Sequence, residues 1–152
     1  MSFKARLEEL GYTLPPVAKP LASYVPATVV GNQVWTSGQL PLIDGALPAT
    51  GKVGAEVSPE KAQELARISV LNGLAAIDAE VGLDKVTRVI KVVGFVSSAP
   101  DFTGQPAVIN GASDFIGELF QEAGAHARSA VGVAVLPNDA PVELELIVEF
   151  AK

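Results

Sequence analysis

Residues 126–150 read HARSAVGVAVLPNDAPVELELIVEF. The segment divides around LPNDAP into two runs with a period of two. That period marks β-strands, whose side chains alternate between faces. In the first run Ser129, Val131, Val133 and Val135 share one face, and Arg128, Ala130, Gly132 and Ala134 share the other. In the second run Val142, Leu144, Leu146, Val148 and Phe150 oppose Glu143, Glu145, Ile147 and Glu149. The short polar link predicts a β-hairpin. Apolar faces coincide in a hairpin, because a one-residue slip turns every packing side chain to water. The valine and leucine faces are then expected to form the core together. The other face is expected to carry one arginine, a strip of very small residues and three glutamates. In that register Arg128 faces Glu149, and Glu143 lies at the far end.

The rest of the chain supplies what covers the apolar face. Ser58-Pro59 is a helix start, a capping serine followed by proline at the first helical position. The helix is expected to run to about Val81, with Gly82 closing it. KVTRVIKVVGFVSSAP, from Lys85, is rich in β-branched residues and reads as a long strand. A turn at Asp101-Phe102 leads into a second helix, roughly Ala107 to Ala123, ended by Gly124. Upstream, TVVGNQVWTSGQ predicts a hairpin with its turn at Gly31-Asn32. The loop LPLIDGALPATGKVGAEV leaves room for a short strand near Val53. SFKARLEEL predicts a short helix stopped by Gly11. Prolines at 15, 16, 20 and 26 keep the following stretch irregular, as an extended arm. Two helices on one face of a mostly antiparallel sheet make an α+β layer fold. The small residues beside Arg128 would let a second backbone come close. The sheet's uncovered face is therefore expected to build an oligomer with a site in the seam.

The 152 residues suit one domain, 1–152, in which 1–20 are the N-terminal helix and proline-rich arm. Cysteine is absent, which excludes disulfides and thiolate chemistry, and the one histidine, His126, excludes a multi-histidine metal site. No cofactor or metal is expected. No apolar run is long enough to span a membrane, and MSFKARLEELGYTL lacks an apolar signal core, so a cytoplasmic protein is expected. The net charge is −6, from 11 basic and 17 acidic residues. The basic residues are scattered, with no cluster shaped for a phosphate backbone. Nucleic acid is not the expected partner.

Three stretches resemble the YjgF/RidA family, the reactive-intermediate deaminases. ARSAVGVAVLP (127–137) is similar to the family's arginine, small residue, alternating valines and Leu-Pro. VELEL (142–146) is similar to the strand that follows. GNQVWTSGQLPL (31–42) is similar to the early strand ending in Ser-Gly-Gln. The resemblance runs from about Leu21 to Phe150, with an N-terminal extension before it. It implies a chorismate-mutase-like α+β fold: a mixed sheet, two helices on one face, and a homotrimer around a central barrel with sites between subunits. It also implies hydrolysis of small enamines and imines derived from amino acids, 2-imino acid to 2-keto acid plus ammonia. Arg128 would then grip the substrate carboxylate and Glu143 would hold the attacking water. Tyr24, Ser37, Gly38, Asn110 and Ala130 would line the pocket, with Asn110 at the start of the second helix. Ala130 stands where many members have cysteine, and SYVPA around Tyr24 departs from the family's usual arm.

Each of these residues also has a plainer reading. Arg128 could pair with Glu149 across the hairpin, and Glu143, Glu145 and Glu149 could be a solvated strand face. Tyr24 could cover the core with its hydroxyl in water, and Ser37-Gly38 could be only a turn. His126 reads as a surface loop residue and Trp35 as core or interface. Asn72 and Asn110 could bond backbone from within or at the end of their helices. Other functions are a non-catalytic trimer binding small carboxylates or keto acids, and an endoribonuclease or translation inhibitor. The acidic charge argues against the last two roles. No salt-sensitive binding of single-stranded RNA is expected. A filter-binding titration in which affinity falls steeply between about 50 and 200 mM salt would contradict this.

Overall fold

The computed structural model describes residues 2–20 and 22–152. Met1 and Leu21, the latter in the proline-rich arm and at the start of the family resemblance, lie outside the described residues. The elements in chain order are α1 (Phe3–Glu9), β1 (Ala27–Val30), β2 (Gln33–Thr36), α2 (Pro59–Val81), β3 (Val86–Ser97), α3 (Gln105–Phe120), β4 (Ala127–Val133) and β5 (Val142–Phe150). The five strands form one mixed sheet in the order β1-β2-β5-β3-β4. Helices α2 and α3 pack on one face of it and against each other.

Local chemistry sets most element ends. Ser58 caps α2, its hydroxyl accepting from the Lys61 N–H at 3.1 Å, with Pro59 in the first turn. Gly82 ends that helix with φ of 89°. Ser2 caps α1 in the same way through the Ala5 N–H. The expected turn at Gly31-Asn32 joins β1 to β2, with Val30 opposite Gln33. Val53 forms only isolated bridges, to Val57 and Ser98, rather than a strand. Helix α3 stops at Phe120, earlier than expected. Gln121 takes φ of 54°, and a 3-10 turn carries the chain to Gly124.

The hairpin expected at 126–150 does not exist. Strand β3 lies between its two arms, pairing with β4 in parallel and with β5 antiparallel. Arg128 and Leu146 thus flank Val92, and Val131 and Glu143 flank Phe95. The link after β4 passes the end of β3, where the Ser97 N–H donates to the Pro141 carbonyl at 2.9 Å. The reason is connectivity. A strand, a crossover helix and a parallel strand form one unit, and α3 is that crossover.

The same insertion reverses the expected faces of β4. Residues opposite one another in a sheet point the same way. Arg128, Ala130 and Gly132 therefore share the helix-covered face with Val92, Leu144, Leu146 and Val142. Ser129, Val131 and Val133 share the open face with Glu143 and Glu145. Small residues suit β4 because α3 starts directly over it: a Cβ on Gly132 would come within 2.7 Å of the Gln105 side-chain nitrogen. The small-residue strip and the three glutamates are on opposite faces. The open face instead mixes glutamates with Val131 and Trp35, each over 40 % exposed. Trp35 is thus outside the chain's own core.

The core beneath the helices contains Leu65, Val70, Leu74 and Ile77 of α2, Ile109, Ile116 and Leu119 of α3, and Leu144, Leu146 and Val148 of β5. Each fully buried aliphatic side chain contributes about 1.5–3 kcal/mol. The two helices touch at Gly111, where a Cβ would clash with the Gln63 carbonyl oxygen. Gly111→Ala is expected to force the helices apart and destabilise the chain by about 1–3 kcal/mol or more, despite alanine's better helix propensity. A denaturation midpoint equal to or above the wild type's would refute this close contact.

Candidate functional site

Arg128 stands near the start of the edge strand β4 and reaches back to α3. One Nη1 donates to the Asn110 side-chain oxygen at 2.7 Å and to the Ser113 hydroxyl at 3.2 Å. Asn110 and Ser113 are three apart on the helix and share a face. Asn110 lies in the second turn of α3 rather than at its start. Ser113 is also 2.9 Å from His126 Nε2, and His126 Nδ1 is 2.6 Å from the Gly124 carbonyl. That carbonyl can only accept, so His126 carries its proton on Nδ1 when neutral, and Nε2 accepts from the Ser113 hydroxyl. His126 is therefore a partly buried member of a hydrogen-bond chain, not a surface residue without partners. Arg128 does not pair with Glu149, whose carboxylate instead accepts from the Thr87 hydroxyl at 2.8 Å. Among the described residues no carboxylate is within ion-pair distance of Arg128.

A second group forms where β2 ends beside β5. Gln39 and Leu144 exchange backbone hydrogen bonds, which brings Gly38 against Glu143. A Cβ on Gly38 would stand 2.6 Å from Glu143 Oε2, so only glycine leaves that carboxylate its place. The Ser37 hydroxyl donates to the Val25 carbonyl at 2.5 Å, fixing the arm that carries Tyr24. Tyr24, about half exposed, lines a small pocket together with Gly38. Burial pushes the Glu143 carboxyl above the usual carboxylate range, and the neighbouring Glu145 adds to the shift.

The expected site residues thus fall into two groups. Arg128, Asn110 and Ala130 lie under α3 on the helix-covered side of β4. Tyr24, Ser37, Gly38 and Glu143 lie at the junction of β2 and β5, with Glu143 rooted on the open face. The two strands are separated by β3, about 10 Å across, and Arg128 and Glu143 by three residues along it, about 10 Å more. They do not meet within one chain. Sequence reasoning missed Ser113 and dismissed His126, though the Asn110–Ser113 spacing and the position of His126 two residues before Arg128 were both readable. Asn72 is placed as its plainer reading required, donating to the carbonyls of Leu40 and Leu42. Among the described residues no group of three or more His, Asp or Glu side chains is placed to hold a metal ion. None of the helices described is long and apolar enough to cross a membrane.

Residues 4–151 match the family model described as "YjgF/chorismate_mutase-like, putative endoribonuclease". The chain belongs to the YjgF family. Its fold is close to that of a crystal structure of the protein Atu1372 from Agrobacterium tumefaciens, described as of unknown function. That protein is 46 % identical, with a TM-score of 0.90 over 98 % of this chain and 92 % of that one. The 2-iminobutanoate/2-iminopropanoate deaminase of Escherichia coli strain K12 is 35 % identical over 129 residues, 84 % of this chain and 87 % of the deaminase. The structure of TdcF from E. coli with bound serine is 29 % identical, with a TM-score of 0.66 over 92 % of this chain and 97 % of that one. YjgF relatives of this chain thus include a named imine deaminase and a protein holding a small amino acid.

The Glu143 shift has a definite sign in stability. With its pKa raised on folding, the folded chain keeps a proton that the unfolded chain has released. Stability therefore falls as pH rises from the ordinary carboxylate value through the raised one, and the loss is complete above it. Glu143→Gln removes that loss. Its urea midpoint is expected to rise relative to the wild type's on going from about pH 4 to about pH 7. Parallel midpoints across that range would show that burial does not act on this carboxylate.

Proposed function

We propose that the chain is a hydrolytic deaminase of small 2-imino acids, working as a homotrimer whose sites lie between neighbouring subunits. The division of the candidate site into two separated halves carries this reading. One half offers an arginine without a carboxylate partner. The other offers a carboxyl group with a raised pKa beside a glycine and an exposed tyrosine. A second copy placed against the first supplies to each half what it lacks. The mixed open face, with Trp35 and Val131 uncovered, supports association through the sheet. The named activity of the E. coli deaminase supports the substrate class.

In this reading Arg128 is the carboxylate anchor. Asn110 and Ser113 share one Nη1 and leave the other guanidinium donors free, and the planar fork can grip a carboxylate with two parallel hydrogen bonds. Ala130 lies two residues on along the same face and packs against the core, so it would border the substrate rather than bind it. Glu143, from the neighbouring copy, holds water against the imine carbon. Water adds to the C=N bond while Glu143 takes one of its protons and passes it to nitrogen, giving a carbinolamine. Glu143 then takes the hydroxyl proton and passes it to nitrogen, so that the C–N bond breaks and ammonia leaves as the C=O bond forms. One carboxyl group with a raised pKa suffices to shuttle that proton, and positioning supplies much of the rate. No cofactor takes part.

The shared site makes complementation the sharpest test. Arg128→Ala and Glu143→Gln chains are each expected to release no ammonia from 2-iminopropionate generated in situ. Unfolded and refolded together at equal amounts, they should recover activity, with about a quarter of the interfaces whole in a randomly mixed ring. Arg128→Lys keeps the charge but loses the fork, and should lower kcat/KM at least about tenfold. Loss of the two hydrogen bonds to α3 costs about 0.5–1.5 kcal/mol each, so these variants should remain folded. Wild-type chain that binds pyruvate but releases no ammonia would leave a carboxylate-binding protein instead. Activity with no recovery in the mixture would place the site within one chain.

A further inference from the structure

The N-terminal arm encloses a cavity that the deaminase reading does not use. It measures about 640 Å³ and is lined by Tyr12 and Val17 of the arm, Ile43 of the loop after β2, and Arg67, Ile68 and Leu71 of α2. Small-molecule sites commonly span about 300–1,000 Å³, with apolar walls and a few polar groups. The cavity shares Ala18, Lys19 and Leu42 with the small pocket at Tyr24 and Gly38, so the two are neighbours.

The polar groups of the lining are unevenly matched. The Arg67 guanidinium lies over the Tyr12 ring, 5.2 Å from its centroid. Its Nε is shielded from solvent and has no hydrogen-bond partner. A buried donor without an acceptor is costly, and an unfilled one beside a cavity calls for an acceptor inside it. Lys19 and Asp44 also reach the lining. Among the described residues none of Arg67, Lys19 and Asp44 takes part in an ion pair, and two cations against one carboxylate leave the lining with one positive charge. Asn72 is not free to complete it, since its amide already serves Leu40 and Leu42. The arm itself is held in place: Tyr12 packs edge-on against Phe115 at 5.1 Å, and its N–H donates to the Leu7 carbonyl. Pro15 and Pro16 restrict the backbone between, so little order remains to be imposed on binding.

We propose that this cavity is a second ligand site, for an aliphatic monocarboxylate. The carboxylate accepts from Arg67, and the hydrocarbon body lies on Val17, Ile43, Ile68 and Leu71. The site is independent of the one that Arg128 serves.

Titration calorimetry on the full chain with octanoate, octanol and octylamine tests it. Octanoate is expected to bind one per chain and more tightly than octanol, with octylamine weakest. Arg67→Gln should weaken octanoate at least tenfold and leave octanol unchanged, Arg67→Lys should fall between, and Arg128→Ala should leave octanoate binding intact. Leu71→Trp, which fills the cavity, should abolish octanoate binding while thermal melting shows the fold retained. Octylamine binding more tightly than octanoate would overturn the proposal. So would octanoate affinity that is unchanged in Arg67→Gln or lost in Arg128→Ala. The ranking of the three probes on wild-type chain holds as a test even if a variant fails to fold.

Discussion

The parallel pairing of β3 with β4 governs the rest of the structure. Two parallel neighbours need a crossover, and α3 supplies it from the covered side of the sheet. Once α3 crosses there, β4 becomes an edge strand, β3 becomes central, and β5 must pair on the other side of β3. The strand that carries the arginine is thereby parted from the strand that carries the glutamate. The same crossing explains why β4 has alanine and glycine where a buried strand usually has larger residues. The start of α3 presses on that face, and its valines turn outward instead. A hydrophobic side chain in this strand marks the open face, the inverse of the usual reading.

This inversion separates what was legible in the sequence from what was not. Signals confined to one turn of chain read correctly. Ser58-Pro59 opened α2, Gly82 closed it, Gly31-Asn32 turned β1 into β2, and Asn72 bonded backbone. Neighbour relations did not read correctly, because a period of two says that a segment is a strand and not which strand lies beside it. LPNDAP looks like a hairpin link by length, yet Asn138 and Asp139 both adopt positive φ on the way past the end of β3. The helix between β3 and β4 held the needed information. A strand, a helix and another strand favour a parallel pair, and that outweighs the proximity of β4 to β5 in sequence. The candidate site residues were named by resemblance, while their division between two places followed from topology alone.

The division also settles the electrostatics of each half. Arg128 is held by an amide oxygen and a hydroxyl, neutral acceptors that orient the guanidinium without neutralising it. Behind them His126 leans on the Gly124 carbonyl, so the chain of bonds ends on backbone rather than on an acid. Had Glu149 stood opposite, as a hairpin would have required, the arginine would be satisfied within its own chain and would have little to offer a ligand. Glu143 is treated in the converse way. It is partly buried beside another glutamate, so the proton is held more tightly. A free cation in one half and a reluctant anion in the other remain apart only because β3 stands between them.

Arg67 follows the logic of Arg128 by different means. Its guanidinium rests on the Tyr12 ring, which attracts a cation through its face but supplies no hydrogen-bond acceptor. The contact stabilises the charge and leaves Nε unsatisfied. A carboxylate in that place would have quenched both. The arm that brings Tyr12 there contains Pro15 and Pro16, residues that cannot form sheet or helix interior and so lie over α2 without joining it. The gap between arm and helix is thus a consequence of arm composition. Arginine on aromatic is what keeps a cation at its wall without filling the space.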